Sequence, residues 1–288
     1  MYLPHFEYLR PSSLRDSLAA LAEPDANIRP LAGGTDLLLA LKEGQPAPAA
    51  LLSLRDIPEL HNCEHDGSID RVGAGLTVAE LASDALNKDN PAFGDLRRAF
   101  ASAPIRNRAT IGGNICNAAA CADLPPVLLV SDAQLTIACA ESVRTLSLEQ
   151  FITGPRETAL QRNELLVSIS FRRANPGTAY IKFGLRQAVN IAIVGVACAL
   201  ELRDGAVSDL RVAVTAASPA PILHNATAAK GEKPSQALWR TVAETVAAKL
   251  APISDIRGSA EYRLRLARVG TVRGLERACE RLREASHA

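Results

Sequence analysis

The sequence predicts an α+β fold, and three observations lead to that class. In the first half of the chain, short apolar runs of strand length alternate with segments of helical spacing. From Asp132 onward, apolar and polar residues alternate with a period of two in several segments, which is typical of strands with one buried face. Near the carboxyl end, residues 259–285 carry an apolar stripe at helical spacing. A chain of 288 residues with this pattern should form more than one subdomain.

The amino-terminal helices and strands are predicted from helix-capping residues, the spacing of apolar residues and helix-ending prolines. A helix is predicted over residues 12–22, because leucines recur at helical spacing after Ser12 or Ser13 and Pro24 ends the pattern. Strands are predicted at residues 28–32, 49–54 and 69–74.

Capping boxes mark two further helices. The pattern Thr-x-x-Glu at 77–80 predicts a helix through Leu86, and Ser-x-x-Gln at 147–150 predicts a short helix that ends near Gly154. Between them, a helix is predicted over residues 91–103.

The second half of the chain predicts a sheet followed by helices. Period-two alternation predicts strands at 135–139, 167–171 and 210–214. Residues 191–202 are almost entirely apolar, which favours a central strand. Residues 225–234 are interpreted as a linker, and helices should follow at 235–250 and 259–285.

Composition and charge exclude several classes of protein. The formal net charge is +1, so no overall field exists to attract nucleic acid. No apolar run is long enough to insert into a membrane, and the first residues lack a basic leader, so a cytoplasmic protein is expected. The six cysteines form no CxxC pair and no cluster at metal-ligand spacing, which predicts free thiols and no metal site.

Two glycine-centred segments, which are predicted to be loops, carry the strongest functional signal. The first glycine segment is residues 31–37, and the second glycine segment is residues 110–115. Glycine pairs let successive backbone N–H groups turn towards one anion, so the two segments together predict a dinucleotide held between two cradles. Taken alone, the first segment is equally well explained as a strand-to-helix turn. The patterns GxGxxG and GK[ST] are absent, so neither a Rossmann fingerprint nor a P-loop is predicted.

An acidic residue follows the second glycine segment. Asp123 comes nine residues after Asn114 and just before Pro125 and Pro126. A carboxylate here can accept hydrogen bonds from ribose or ribityl hydroxyl groups of a cofactor. The alternative is that Asp123 caps a helix beginning near Leu124.

These motifs, in this order, resemble a known family. Residues 32–37, 110–114, 123–126, 182–192 and 254–263 are similar to motifs of the FAD-binding medium subunits of molybdenum hydroxylases. That family includes the medium subunit of carbon monoxide dehydrogenase and the flavin domain of xanthine dehydrogenase. The resemblance covers nearly the whole chain. Family members with an extra iron–sulfur cluster carry a cysteine-rich insertion after the second glycine segment. Residues 115–123 of this chain contain no such insertion.

The resemblance implies a fold and a cofactor site. The fold would be a two-subdomain FAD-binding fold of the vanillyl-alcohol-oxidase/PCMH type, with subdomains at 1–56 and 57–175 and a carboxyl-terminal α/β domain at 176–288. Phe100 would contact the adenine, although it is equally well explained as a core residue of the 91–103 helix. Leu166 would touch the isoalloxazine through its backbone, and Lys182 would reach the flavin or the phosphates, the alternative being a solvated strand lysine. The implied FAD-binding residues are Leu31, Ala32, Gly33, Gly34, Thr35, Asp36, Leu37, Phe100, Thr110, Ile111, Gly112, Gly113, Asn114, Asp123, Leu166 and Lys182.

The resemblance also implies an oxidoreductase function. The chain would be the FAD-carrying electron-transfer subunit of a heterotrimeric molybdenum hydroxylase, with no residue acting on the organic substrate. Molybdopterin would lie on a large partner subunit and two [2Fe-2S] clusters on a small one, in a dimer of heterotrimers. The alternatives are a stand-alone flavin oxidoreductase of the same fold and a cofactor-free assembly module.

Overall fold

The computed structural model describes residues 2–24, 27–81, 90–173, 176–186 and 189–286. Within these ranges the chain forms three main β-sheets with helices packed between and against them, which confirms the predicted α+β class. Among the described residues, no helix has both the length and the apolar character that crossing a bilayer requires.

The first sheet is a small parallel sheet built from the amino-terminal segments. Its elements are β1 (Glu7–Leu9), α1 (Leu14–Ala22), β2 (Ile28–Leu31), α2 (Leu37–Lys42) and β3 (Ala50–Ser53). The strand order is β1–β3–β2, and the helices supply the crossovers that parallel neighbours need. The serine that caps α1 is Ser13. The predicted helix at 12–22 and strands at 28–32 and 49–54 are confirmed apart from their end residues.

The second sheet has five antiparallel strands, and a separate hairpin lies beside it. In chain order the strands are β4 (Cys63–Asp66), β5 (Ile69–Gly73), β6 (Gln134–Ala138), β7 (Val143–Ser147), β8 (Ile152–Gly154), β9 (Glu157–Thr158) and β10 (Leu165–Arg172). The sheet order is β4–β5–β10–β6–β7, and β8 pairs with β9. The alternation predicted at 135–139 and 167–171 falls on β6 and β10, where Leu135, Ile137 and Ile169 are fully buried.

Short helices connect the strands of the second sheet. They are α3 (Val78–Leu81), α4 (Pro91–Ala99), α5 (Ala103–Arg106), α6 (Ile111–Asn117), α7 (Leu124–Val130) and α8 (Leu148–Phe151). Both predicted capping boxes are formed, one by Thr77 with Glu80 and one by Ser147 with Gln150. The predicted continuation of α3 to Leu86 lies outside the described residues.

The prediction of one continuous helix over residues 91–103 is wrong. Helix α4 ends at Ala99, and Ala101 has a φ of 36°, which a continuous helix cannot contain. Helix α5 then begins at Ala103 with Pro104 in its first turn, where the missing N–H of proline has no helical partner to lose. The sequence therefore contains two short helices where spacing alone predicted one.

The third sheet is an antiparallel meander covered by two helices. The elements are β11 (Thr178–Phe183), β12 (Val194–Arg203), β13 (Ala206–Thr215), β14 (Ile222–Asn225), α9 (Gln236–Ala247) and α10 (Ala260–Ser286). Strand β12 is buried on both faces over residues 194–200, which confirms the predicted central strand, whereas residues 191–193 precede the strand and Ile191 is exposed. Gly270 and Gly274 let α10 approach β12, since a Cβ on either would lie within 3 Å of a β12 side chain.

The linker predicted at 225–234 is largely ordered against the sheet. Residues Thr227–Ala229 form a 3-10 turn, and the N–H of Gly231 donates to the carbonyl of Val207, whose own N–H donates to the carbonyl of Glu232. These bonds continue the edge of β13, so the small and polar composition of the segment does not make it a free linker. The two helices predicted after it are confirmed as α9 and α10.

A buried carboxylate joins the second sheet's helices to the third sheet. Asp95 of α4 has a side chain that is 3% exposed, and it accepts two hydrogen bonds from Arg281 of α10, at 2.8 and 2.9 Å. The same carboxylate accepts from Arg98 at 2.6 Å and from the backbone N–H of Tyr180 at 3.1 Å. Strand β11 is therefore held against α4 by charge-assisted bonds.

Candidate cofactor-binding site

The structure brings the two glycine segments together. A Cβ built on Gly33 would lie only 1.8 Å from the carbonyl oxygen of Arg108, which precedes the second glycine segment. A Cβ on Gly113 would lie 3.8 Å from the Cβ of Ala32. The backbones therefore approach more closely at Gly33 than any residue with a side chain allows.

The first glycine segment presents backbone donors. It joins the end of β2 to the start of α2, and Gly34 adopts a left-handed φ of 75°. No described residue accepts a hydrogen bond from the backbone N–H groups of residues 33–37. The segment is thus a strand-to-helix turn and also a row of unbonded donors of the kind that binds an anion.

The second glycine segment is not the loop that the glycines predicted. Thr110 is the N-cap of α6, and its hydroxyl accepts a hydrogen bond from the N–H of Gly113 at 3.0 Å. The N–H groups of Ile111, Gly112 and Asn114 donate to backbone carbonyls at 2.8 to 3.0 Å. These donors are therefore used within the chain, and the segment contributes packing and side-chain atoms to the site.

One side-chain atom of the second glycine segment is left without a partner. Oδ1 of Asn114 is buried, and no described residue donates a hydrogen bond to it. A buried amide oxygen without a donor is costly, so such atoms in native proteins usually face a ligand or ordered water. Asn114 lies four residues after the N-cap Thr110, beside the contact with the first segment.

Asp123 belongs to a buried polar cluster with two residues of β11. Its Oδ1 accepts from the hydroxyl of Tyr180 at 2.7 Å, and its Oδ2 accepts from Nζ of Lys182 at 2.7 Å. Burial raises the pKa of the Asp123 carboxyl, while Lys182 and Tyr180 oppose that rise. Asp123 sits at the N-cap position of α7 but makes no side-chain cap bond, so the capping alternative is not observed.

Lys182 is bonded on all three of its donors. Besides Asp123, its Nζ donates to the carbonyl oxygen of Ala99 at 3.1 Å and to that of Asn190 at 3.0 Å. The side chain is 5% exposed, so Lys182 is not a solvated strand lysine. It fastens the end of α4 and residue 190 to Asp123.

Phe100 and Leu166 are both buried. Phe100 is 7% exposed and packs within the largest hydrophobic core cluster, which is the position that its core interpretation requires. Leu166 is 5% exposed and lies on β10, next to a register shift in the pairing with β6. Neither observation brings these residues into the Asp123 cluster or the contact between the glycine segments.

Sequence reasoning missed three polar residues of this region. Tyr180 lies two residues before Lys182 on a strand, so the period of two placed both on one face and could have identified it. Asn117 donates to Asp36 at 3.1 Å and accepts from Arg156 at 3.0 Å. No local pattern marks Asn117 or Arg156, because each acts across a long sequence separation.

The carboxyl-terminal motif forms an ion-pair network. Arg263 of α10 is buried and donates to the carbonyls of Ile193 and Ala216 and to Oδ1 of Asp255, at 2.6, 2.7 and 2.6 Å. Arg257 donates to Oδ2 of Asp255 at 2.6 Å. Burial by itself opposes ionisation of Asp255, but the hydrogen bonds from Arg257 and Arg263 hold its pKa well below the ordinary value.

Asp255→Asn should lower the free energy of unfolding by about 1.5 kcal/mol at neutral pH, because charge-assisted bonds are weakened. The pKa of Asp255 is lowered in the folded state, so its contribution is present above the ordinary value of about 3.9 and lost as the pH falls further. Urea unfolding of both proteins between about pH 3 and pH 8 measures this difference. It should be constant from neutral pH to about pH 5 and shrink below that.

The control is Asp66→Asn, since Asp66 is exposed on the edge strand β4. That variant should stay within about 0.5 kcal/mol of the wild type throughout. A difference for Asp255→Asn that is as large at acidic as at neutral pH would show that the charge of Asp255 is not what stabilises the motif.

Comparison with known protein families identifies these motifs. Residues 4–171 match the model of the FAD binding domain in molybdopterin dehydrogenase, and residues 179–278 match that of the CO dehydrogenase flavoprotein C-terminal domain. The chain belongs to the FAD-binding medium subunits of the molybdopterin dehydrogenases. The resemblance inferred from the glycine segments, Asp123 and residues 254–263 is confirmed.

Relatives of this medium subunit match it along almost their whole length. The xanthine dehydrogenase FAD-binding subunit of Escherichia coli O157:H7 is 33% identical over 280 residues, which cover 94% of this chain and 95% of that subunit. A chain of the carbon monoxide dehydrogenase of Hydrogenophaga pseudoflava that lacks the Mo-pyranopterin moiety superposes with a TM-score of 0.91 at 28% identity, covering 98% of this chain and 99% of that one. Quinoline 2-oxidoreductase from Pseudomonas putida 86 gives 0.90 at 29% identity, covering 98% and 100%. The predicted FAD-binding fold of the PCMH type is confirmed.

Proposed function

We propose that this medium subunit binds FAD between its two glycine segments and passes electrons from iron–sulfur clusters of a partner to an external acceptor. The observation that carries the proposal is the row of unbonded N–H groups at residues 33–37, packed against the second glycine segment. A diphosphate has the charge and the acceptor oxygens that such a row requires.

The residues present fit the cofactor. Residues 31–37 would hold the diphosphate through their backbone N–H groups, and Oδ1 of Asn114, which only accepts, would take a hydrogen bond from a hydroxyl group of the cofactor. Each carboxylate oxygen of Asp123 can accept a second hydrogen bond, so a sugar hydroxyl can still donate to it. Because Lys182 is fully bonded, we assign it the role of holding Asp123 and residue 190 in place.

The chemistry of electron transfer comes from the bound flavin, and this chain's residues orient it and exclude water. In this proposal, the buried pair of Asp123 and Lys182 and the hydroxyl of Tyr180 would form a polar wall of the FAD site. Leu166, through its backbone, and Phe100 remain proposed contacts of the isoalloxazine and the adenine. No residue of this chain is assigned to the organic substrate.

The proposed assembly is a heterotrimer. The relatives of this chain include subunits named as medium chains of carbon monoxide dehydrogenase and of glyceraldehyde dehydrogenase. We propose a large partner that carries molybdopterin, a small partner that carries the iron–sulfur clusters, and a dimer of such heterotrimers in the cytoplasm. Within the chain, we propose subdomains at 1–56 and 57–175 and a carboxyl-terminal domain at 176–288.

FAD reconstitution of the full chain tests the proposal. The purified protein, stripped of flavin, should take up FAD and acquire the flavin absorption bands after gel filtration. Asn114→Ala should weaken FAD binding about tenfold, the loss expected for one hydrogen bond of about 1.4 kcal/mol. Fluorescence titration measures the two dissociation constants.

Asn225→Ala is the matched control, because Asn225 is an exposed asparagine at the end of β14. It should bind FAD as the wild type does. A wild-type chain that folds but takes up no FAD would overturn the proposed cofactor, whereas equal affinities of the wild type and Asn114→Ala would overturn only the role of Asn114.

A further inference from the structure

The hairpin of β4 and β5 places a thiol, an imidazole and a carboxylate in one row. The antiparallel register pairs His65 with Asp70 and Cys63 with Val72, so the side chains of residues 63, 65 and 70 share one face. Sγ of Cys63 is 3.8 Å from Nε2 of His65, and Nδ1 of His65 is 2.7 Å from Oδ1 of Asp70. From one end of the row to the other, the three side chains are a nucleophile, a base and a group that orients the base.

Exposure changes sharply along the row. The side chain of Asp70 is 5% exposed, that of His65 is 44% exposed, and Cys63 is exposed. An ionised carboxylate can only accept hydrogen bonds. With Asp70 ionised, the bond between His65 and Asp70 therefore requires the proton on Nδ1 of His65. Nε2 is then the free acceptor, and it faces the thiol at the open end of the row.

The surrounding charges require a base for this thiol to react. Burial and the carboxylates of Asp70 and Glu64 raise the pKa of the Cys63 thiol. Arg71 pairs with Glu64 at 3.9 Å, and both side chains are exposed. Loss of the proton to bulk solvent is therefore disfavoured, while transfer to His65 creates an imidazolium beside Asp70, which stabilises it.

We propose that Cys63 is a modification site for low-molecular-weight disulfides, with His65 as the base and Asp70 as its positioning residue. The thiol proton moves to Nε2 of His65 as Sγ attacks one sulfur of the small disulfide. The bond between Sγ and that sulfur forms, the disulfide's own S–S bond breaks, and the departing thiolate takes the proton from His65. One protein thiol and one small disulfide give one mixed disulfide and one small thiol.

The other cysteines define the comparison. Cys198 and Cys279 are buried and closed to attack, whereas Cys116 and Cys121 are half-buried, and burial raises the pKa of Cys116 to about 12. Cys139 is partly exposed, and its Sγ contacts a hydroxyl and a carboxylate, those of Ser142 and Glu141, at 3.2 and 3.4 Å. Cys139 is therefore a matched thiol with an acidic neighbour and without the histidine.

Reaction of the full chain with oxidised glutathione tests the site. Peptide mass mapping over time should show Cys63 forming the mixed disulfide roughly tenfold faster than Cys139 at neutral pH. His65→Gln should reduce the rate at Cys63 to that of Cys139 and move the midpoint of its rate–pH profile to higher pH. This profile separates a proton-accepting role of His65 from a merely structural one.

Two internal checks keep the outcome interpretable. The rate at Cys139, together with the circular dichroism spectrum, reports whether His65→Gln has kept its fold. Asp70→Asn, which removes the charge at nearly constant shape, should give a rate between those of the wild type and His65→Gln. Equal rates at Cys63 and Cys139 in the wild type, or a His65→Gln variant that reacts like the wild type, would overturn the proposal. The measurement needs no FAD, so it is independent of the proposed function.

Discussion

Gly33→Ala should lower the free energy of unfolding by about 3 kcal/mol or more and abolish FAD binding. The added Cβ would stand 1.8 Å from the carbonyl oxygen of Arg108 and 3.1 Å from the Cα of Ala109, both backbone atoms. Backbone cannot move aside as the end of a flexible side chain can, so the two glycine segments must separate. Urea unfolding of the flavin-free protein and titration with FAD measure the two effects separately.

Gly67→Ala is the matched control for this substitution. Gly67 has a φ of 56°, and a Cβ there would meet nothing within 4 Å. Its replacement should cost about 1 kcal/mol for the left-handed backbone and leave FAD binding unchanged. If Gly33→Ala were as mild as Gly67→Ala, the close contact between the two segments would be wrong.

Local signals explain which elements the sequence predicted well. Ser13 and Ser147 cap their helices with the hydrogen bonds that their patterns predict, because a cap depends only on residues three positions apart. Strand β12 is predicted from its almost entirely apolar run, which the burial of the strand between α7 and α10 explains.

The second glycine segment shows where local signals failed. The glycine pair predicts a loop at residues 110–115, in which successive backbone N–H groups can turn towards one anion. In the structure Thr110 caps α6, and the N–H groups of Ile111 and Gly112 bond to the carbonyls of Leu76 and Ala74. A Cβ on Gly112 would lie 2.7 Å from the Cβ of Ala74. Gly112 is thus required by close packing against a distant segment, and no local rule contains that information.

The sequence identified residues of the candidate site but not how they contact one another. Asp123 and Lys182 were both singled out, yet they are 59 residues apart in sequence, and only the fold shows that they bond to each other. The bond changes the interpretation of both. Asp123 is fixed in place by Lys182 and Tyr180, so in the proposed site it would be a pre-organised acceptor.

Lys182→Met should lower the free energy of unfolding by about 3–5 kcal/mol at neutral pH. Methionine keeps much of the volume but leaves the carboxylate of Asp123 buried with only Tyr180 as a donor. The pKa of Asp123 is already raised by burial in the wild type, and removal of the opposing lysine raises it further. Urea unfolding between about pH 4 and pH 8 measures the loss and its pH dependence.

The sign of that pH dependence is fixed by linkage. When folding raises the pKa of a carboxyl, the group's contribution to the free energy of unfolding is fully present below its pKa in the unfolded chain, about 3.9. That contribution is lost as the pH rises through the pKa in the folded protein. The destabilisation by Lys182→Met should therefore be smaller near pH 4 than near pH 8. A loss that is independent of pH would mean that packing, not the charge of Asp123, is responsible.

A double variant separates the pair from its surroundings. Adding Asp123→Asn to Lys182→Met removes the uncompensated charge, so part of the lost stability should return, and the two substitutions should be strongly non-additive. Tyr180→Phe is the matched control, because it removes one neutral donor to the same carboxylate and should cost about 1–2 kcal/mol. If FAD affinity follows the restored stability in the double variant, Lys182 acts by positioning; if affinity stays low, the charges of the pair are themselves required at the cofactor.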